Sequence, residues 1–235
     1  LAALFGAALV GITLLAALGV WQLERRVWKL ALIDRVEQRV HAAPVAAPGP
    51  AAWPAVTVAH DEYRRVSVTG HYLNDRAALV QALTDLGAGF WVVTPLCTPD
   101  GFTVLVNRGF VPSSDGRAPA SRIAKDVDGE TTIIGLMRMT EPHGGFLRAN
   151  DPKLDQWYSR DVAAIAAARG LADVAPYFID AEAGADPAGF PRGGLTVLAF
   201  PNNHLVYALT WFCLAAMLAG ATLSLARDEW RARNS

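Results

Sequence analysis

Two uncharged apolar runs bracket a long stretch of mixed polarity in this 235-residue chain. From Leu1 to Leu23 there is no charged side chain, and the first is Glu24. Leu205 to Ala226 is likewise uncharged. A helix needs roughly 20 apolar residues to cross the hydrocarbon core of a bilayer, so each run predicts a membrane span. A cleaved signal peptide is the competing reading of the first. Its apolar core would be about 7–15 residues long and would end at a small-x-small site. Here the pattern instead runs on into Trp21-Gln22-Leu23-Glu24-Arg25-Arg26.

The first helix is expected to outrun the membrane. Val20, Leu23, Val27, Leu30, Ile33, Val36 and Val40 recur at three- and four-residue spacing, the mark of an amphipathic helix. Arg25, Lys29, Arg35, Gln38 and Arg39 fall mainly off that stripe, with Trp21 as an interfacial anchor. The Pro- and Ala-rich stretch from Pro44 to Pro54 then predicts a semi-stiff connector.

Beyond it the period changes from helical to alternating. Val66–Tyr72 alternates apolar with polar positions, which predicts a half-buried strand. Further strands are expected at Ala78–Leu83, Phe90–Pro95, Phe102–Val111, Thr131–Met139, Trp157–Ser159 and Tyr177–Asp180, with a tight turn at Pro99-Asp100-Gly101. Asp161–Arg169, stopped by Gly170, predicts a helix with Asp161 or Ser159 as its N-cap. The stretch Pro112–Asp128 reads as a polar, mobile loop. Short spacing and turn signals favour an antiparallel sheet over crossover units.

The predicted fold is a membrane α+β protein: two transmembrane helices bracketing an antiparallel β-rich extramembrane domain with one or two helices. The expected boundaries are a first span over 1–23, a helical stalk over 24–43, a linker over 44–54, the β-rich domain over 55–200, a second span over 203–226 and a tail over 227–235. Basic residues follow both spans: Arg25, Arg26, Lys29, Arg35 and Arg39 after the first, and Arg227, Arg231 and Arg233 after the second. The charge rule for orientation is therefore split, leaning toward a cytoplasmic domain.

Charge and cysteine content narrow the chemistry. A net charge of −1 gives no electrostatic footing for nucleic acid. Cys97 and Cys213 lie too far apart in the predicted architecture to pair, and no CxxC motif points to a thiol redox or thiolate metal site. GxSxG, Walker, HExxH and strand-linked GxGxxG patterns are missing, so no enzymatic activity is expected. His60-Asp61-Glu62 reads as a solvated loop, His143-Gly144-Gly145 as a turn, His71 as a surface residue and Ser113-Ser114-Asp115 as loop.

Two places carry more. Asn107-Arg108-Gly109-Phe110-Val111-Pro112 ends an apolar strand abruptly in an arginine, whose planar fork suits carboxylates or phosphates. It reads either as a structural tie to a nearby acid or carbonyl, or as an anion-holding group. Asn202-Asn203-His204 opens the second apolar run, followed by Tyr207, Thr210 and Trp211. Ionisable groups at a membrane span are costly and mark functional sites. His204 reads either as an interfacial residue capping the helix beside the two asparagines or as an axial ligand to a haem lying between the spans.

These segments carry a resemblance. Gly19-Val20-Trp21-Gln22-Leu23 with Arg25 and Lys29, then Thr94-Pro95-Leu96, then Val104-Leu105-Val106-Asn107-Arg108-Gly109, then Asn202-Asn203-His204-Leu205 with Tyr207, Thr210 and Trp211, resembles the surfeit-locus-one family of cytochrome c oxidase assembly factors. The matches keep the family's order over nearly the whole chain, with Phe110 where many relatives place Trp.

The resemblance implies an inner (plasma) membrane protein, with a bacterial membrane as the expected host. Its central domain would face the periplasm, or the intermembrane space in mitochondria, against the lean of the charges. It further implies that the protein is a chaperone that binds haem a and assists its insertion into oxidase subunit I, with haem a synthase as a further partner. His204 matches the family's candidate for the iron ligand. Trp21, Tyr207 and Trp211 are expected along the macrocycle, and Arg25 or Arg108 against its propionates. The alternative is a membrane scaffold that stabilises nascent oxidase subunits without touching haem.

Overall fold

The computed structural model describes residues 2–113, 126–145, 147–184, 189–196, 200 and 202–234. It divides into two bodies, one of Leu1–Arg35 with Leu198–Ser235 and the other of Val36–Val197.

The first body is a helix pair. Helix α1 is Ala2–His41, continuous through the expected stalk, and the last helix of the chain is His204–Asn234. Each is long and apolar enough to cross a membrane. Contacts between them run in opposite directions along the two chains. Lys29 lies over the Phe200 ring, His204 meets Gln22, Gly19 abuts Phe212 and Gly11 abuts Leu218. The pair is therefore antiparallel.

On α1 the covered positions Ala8, Ile12, Leu15, Gly19, Gln22, Arg26, Lys29 and Ile33 alternate in steps of four and three. His204, Ala208, Trp211, Ala215, Leu218 and Thr222 do the same on the other helix. That is the repeat of a coiled-coil seam. Small residues let the backbones approach, as membrane helix interfaces favour. A Cβ on Gly19 would lie 2.5 Å from the Phe212 ring. This corrects the expected amphipathic stripe over Val20 to Leu30, whereas its later members Ile33, Val36 and Val40 are covered. Val20, Leu23, Val27 and Leu30 are exposed, and Gln22, Arg26 and Lys29 lie on the covered line instead. The stripe marks the face left for an apolar medium, not the face that pairs.

The second body is a β-domain. Its strands are β1 Val45–Ala46, β2 Arg65–Tyr72, β3 Ala78–Thr84, β4 Gly87–Cys97, β5 Thr103–Pro112, β6 Glu130–Met139 and β7 Val174–Ala181. Helix α2 is Val58–Asp61, α3 is Val162–Ala168 and the last helix, His204–Asn234, is α4. The sheet order is β1-β2-β6-β7-β5-β4-β3, and the end of β2 also pairs with β4 through His71 and Tyr72. Strands β2, β6, β7, β5 and β4 thus close on themselves, with β1 and β3 outside the ring. The expected antiparallel character holds for most pairings. Two are parallel, β1 with β2 and β5 with β7, because the chain passes through α3 before β7 and re-enters the sheet in the direction of β5.

The core has two parts. One gathers Val66, Leu96, Val104, Val106, Met137, Tyr177 and Ile179 inside the ring. The other gathers Ala78, Val80, Val93, Leu105, Trp157, Ile165 and Phe178 under α3. Asp161 caps α3, its carboxylate accepting the Ala164 N–H at 3.1 Å. The Pro99-Asp100-Gly101 turn forms as expected, Gly101 taking a φ of +84°.

Three local expectations differ. Trp157–Ser159 is not a strand, since only Trp157 bridges to Val80. The Pro- and Ala-rich stretch is strapped to the sheet: the Tyr177 hydroxyl donates to the Pro48 carbonyl at 2.6 Å, and Trp53 stacks edge-on against Phe102. His60-Asp61-Glu62 is not a solvated loop. Asp61 is buried and accepts the Thr57 N–H, and Glu62 holds Arg138 at 2.8 Å and the Met139 N–H. Residues 114–125 of the expected polar loop, including Ser114 and Asp115, lie outside the described residues.

Phe178 is fully buried in the second core cluster. Truncating Phe178→Ala is expected to destabilise the β-domain by about 3–5 kcal/mol, read as a lower denaturation midpoint of the full-length protein in detergent. An unchanged midpoint would remove Phe178 from the core.

Candidate functional site

The Asn107-Arg108-Gly109 segment ends β5 and serves the architecture. Asn107 donates through Nδ2 to Asp180 Oδ1 at 2.8 Å, and its own Oδ1 accepts the Gly109 N–H at 3.1 Å. Gly109 has a φ of +130°, and a Cβ there would lie 2.2 Å from the Arg192 carbonyl carbon. No side chain fits, so glycine is the residue the close approach permits. Phe110 and Arg192 exchange a pair of backbone hydrogen bonds, each 2.9 Å, which seats the returning chain on β5.

Asp180, buried on β7, is the centre of that region. Arg138 and Arg160 each donate to it at 3.0 Å, and the Thr196 hydroxyl donates at 3.1 Å. Arg138 also pairs with Glu62, and Arg160 with Glu141. Three carboxylates thus saturate two guanidiniums, and this cluster has no spare positive charge for an anion. Burial would raise the Glu141 pKa, but the hydrogen bonds and charge of Arg160 outweigh it and hold the carboxyl below its ordinary value.

Arg108 belongs to this β-domain. Its guanidinium lies over the Tyr72 ring at 5.0 Å. Burial draws the Arg108 pKa down, against the opposing pull of Tyr72 and Asp126, and pushes the Tyr72 hydroxyl up to about 12.

The His204 region is built on the helix pair. Asn203 opens α4, its carbonyl accepting the Tyr207 N–H at 3.2 Å. His204 follows, half-buried in the seam, with its Nδ1 at 2.8 Å from Gln22 Oε1. An amide oxygen only accepts, so the ring nitrogen facing it donates. With the Gln22 oxygen as acceptor, a neutral imidazole would carry its proton on Nδ1 and keep the Nε2 lone pair. That is the arrangement in which a metal-binding histidine is held from its far side by a carbonyl.

Helical geometry places the aromatic residues around this pair. With Gln22 and Ala208 on the seam, successive residues rotate by about 100°. For two antiparallel helices that sets Trp21 and Arg25 on one flank of α1 and Tyr207 on the adjoining flank of α4, with Trp211 one turn further on at the edge of the seam. Trp21 is 53% exposed and Tyr207 54%, so their faces are not covered by protein. Arg25 stacks over Trp28 at 4.2 Å. Sequence reasoning thus named the residues of this flank but assigned no role to Gln22. Its signal is an uncharged amide on a seam line whose other polar members on α1, Arg26 and Lys29, are charged.

The donor set suits a macrocycle-held iron. Among the described residues no three His, Cys, Asp or Glu side chains gather to hold a bare ion. A single imidazole with the exposed Trp21 and Tyr207 rings on its flank could offer such a group one nitrogen and flat apolar contact.

Fold and site together define a membrane-anchored β-domain protein with a histidine held in the seam of its helix pair. The chain belongs to the SURF1 family, which matches residues 9–216 and comprises cytochrome c oxidase assembly factors. It is 38% identical over 215 residues to surfeit locus protein 1 of Mus musculus, covering 85% of this chain and 68% of that protein. The human surfeit locus protein 1 is 37% identical over 218 residues, with 85% and 69% covered. A SURF1-like protein of Monosiga brevicollis is 36% identical over 223 residues, with 89% and 82% covered.

Two outcomes test the β-domain's polar centre. Asp180→Ala removes the buried carboxylate shared by two part-buried guanidiniums, each left with one glutamate, and is expected to cost about 3–5 kcal/mol, measured by denaturant unfolding. A cost below about 1 kcal/mol would mean the cluster is solvated. The second concerns acid. Glu141, and Glu182 held down by its hydrogen bond from Arg65, have folded-state pKa values below their unfolded ones. Their stabilisation is present above the ordinary carboxylate pKa and is lost as pH falls through the depressed values. Glu141→Gln is expected to flatten that acid limb of the stability curve; an identical limb would contradict the assignment.

Proposed function

We propose that this protein carries haem a during the assembly of cytochrome c oxidase and passes it to the nascent subunit I. His204 would supply the nitrogen that holds the iron. Trp21, Tyr207 and Trp211 would give the macrocycle flat apolar contact, and Arg25 would pair with a propionate. The β-domain faces the periplasm, or the intermembrane space in an organelle, and offers the surface for oxidase subunit I and for haem a synthase. The role is carriage, with no covalent step on a substrate.

The observation that carries this reading is the hydrogen bond between His204 Nδ1 and Gln22 Oε1. It leaves Nε2 as the donor nitrogen, and it sits where both helices contribute to one flank. When bound, the group would bring redox-active iron and a large apolar plane. The chain's own residues orient the imidazole and shield one edge of that plane. Family membership supports the oxidase side of the proposal.

The test is the absorption spectrum of the full-length protein purified from cells that make haem a, beside that of His204→Ala. The wild type is expected to carry haem a bands that the variant loses. Equal haem in both would remove His204 as ligand. No haem in either would favour a scaffold that stabilises nascent oxidase subunits.

A further inference from the structure

We infer that Gln22 is the positioning residue of the haem site: it fixes the His204 imidazole in the tautomer, and at the angle, that presents Nε2 to iron. The inference rests on the haem reading above for its consequence, but not for its physical content.

Gln22 is fixed from two directions. Its place in the seam is set by helix geometry, three residues beyond Gly19, where the Phe212 ring packs, and seven before Lys29, which lies against Phe200. A polar side chain there must find a partner, because a buried amide without one costs about 1–3 kcal/mol. The polar side chains at this end of the facing helix among the described residues are those of Asn202, Asn203, His204 and Tyr207. His204 takes the bond, at 2.8 Å. The imidazole is thereby tied to the opposite helix and not to its own, so its orientation follows the helix pairing and not the local backbone.

Three consequences follow from chemistry. An Nδ1–H that donates to an oxygen makes Nε2 a better electron donor, as partners of metal-bound histidines do. The hydrogen bond removes ring rotation that would otherwise be frozen only when iron binds, so ligation costs less entropy. It also makes iron binding and helix pairing cooperative, because whatever separates the helices releases the ring. A carrier that must give up its cargo would gain a release route in this way: parting α1 from α4 at Gln22 would free the His204 ring and weaken its hold on iron.

The experiment uses the full-length chain in detergent, with histidine labelled by ¹⁵N, first without haem and then titrated with ferric haem a. In the haem-free wild type the nitrogen shifts of His204 are expected to show a protonated Nδ1 and a bare Nε2. Gln22→Leu, which has no acceptor, is expected to lose that tautomer and to weaken haem a binding by about 10–100-fold. Gln22→Glu, which keeps an acceptor oxygen in place, is expected to keep the tautomer and the binding, and to lower the iron reduction potential relative to wild type.

A wild-type ring protonated on Nε2 overturns the inference without any variant. So does Gln22→Leu with wild-type tautomer and wild-type affinity. If haem a binds the wild type and His204→Ala alike, the haem reading fails, and the haem-free nitrogen shifts still decide whether Gln22 sets the ring.

Discussion

In a seam whose side chains are mostly small and apolar, the hydrogen bond between His204 and Gln22 is the contact on which helix register and the state of the imidazole both depend. Alanines and glycines let the helices approach but tolerate sliding, since one small residue packs much like another. A polar pair does not slide, because moving either partner leaves a desolvated donor or acceptor. Single buried polar residues fix register in soluble coiled coils for the same reason. In a membrane helix pair such a bond contributes about 0.6–2 kcal/mol. That is modest for stability but large enough to choose one arrangement over its neighbours. The same bond decides which nitrogen of His204 carries the proton, so structure and chemistry share one constraint.

The β-domain solves a comparable problem with charge. Asp180 is held by Asn107 on β5, Arg138 on β6, Arg160 before α3 and Thr196 on the returning chain. Elements far apart in sequence therefore converge on one buried carboxylate. Breaking such a cluster by removing one member strands charges that have lost access to water. The Asn107-Arg108-Gly109 segment is best understood in this light. Its asparagine serves Asp180, its glycine admits the Arg192 backbone, and its arginine stacks on Tyr72.

Much of the fold was legible in the pattern of the chain. The apolar runs gave the helix pair, because hydropathy reports directly on the medium a helix faces. Alternation located β2 and, with the turn at Pro99-Asp100-Gly101, the β4–β5 hairpin. What pattern does not encode is pairing at a distance. The parallel contact of β5 with β7 depends on the path through α3, and Trp157 imitates a strand while making a single bridge. The ion pair of half-buried Glu62 was hidden because a carboxylate looks solvated until Arg138, 76 residues away, is seen beside it.

The site was legible in part. The amino-acid types of His204, Tyr207 and Trp211 at the start of an apolar run were conspicuous, and so were Trp21 and Arg25. Gln22 was not, because an uncharged amide at the end of a span has many ordinary uses. Only the antiparallel register, which brings position 22 opposite position 204, gives it a role. The apolar stripe Val20–Leu30 misled for a related reason: in a membrane, the face that pairs is the one with small and polar residues.

The central claim is that His204 is the nitrogen that holds iron. Pulsed electron paramagnetic resonance of the ferric haem a complex, prepared with ¹⁵N-labelled histidine, tests it directly. The chain has five histidines, so the measurement is made on a variant in which His204 is the only one retained. A ¹⁵N hyperfine coupling to the iron that persists in this variant, and disappears in His204→Ala of the otherwise native chain, is the predicted result. A coupling that survives His204→Ala would place the iron on another histidine and contradict the account.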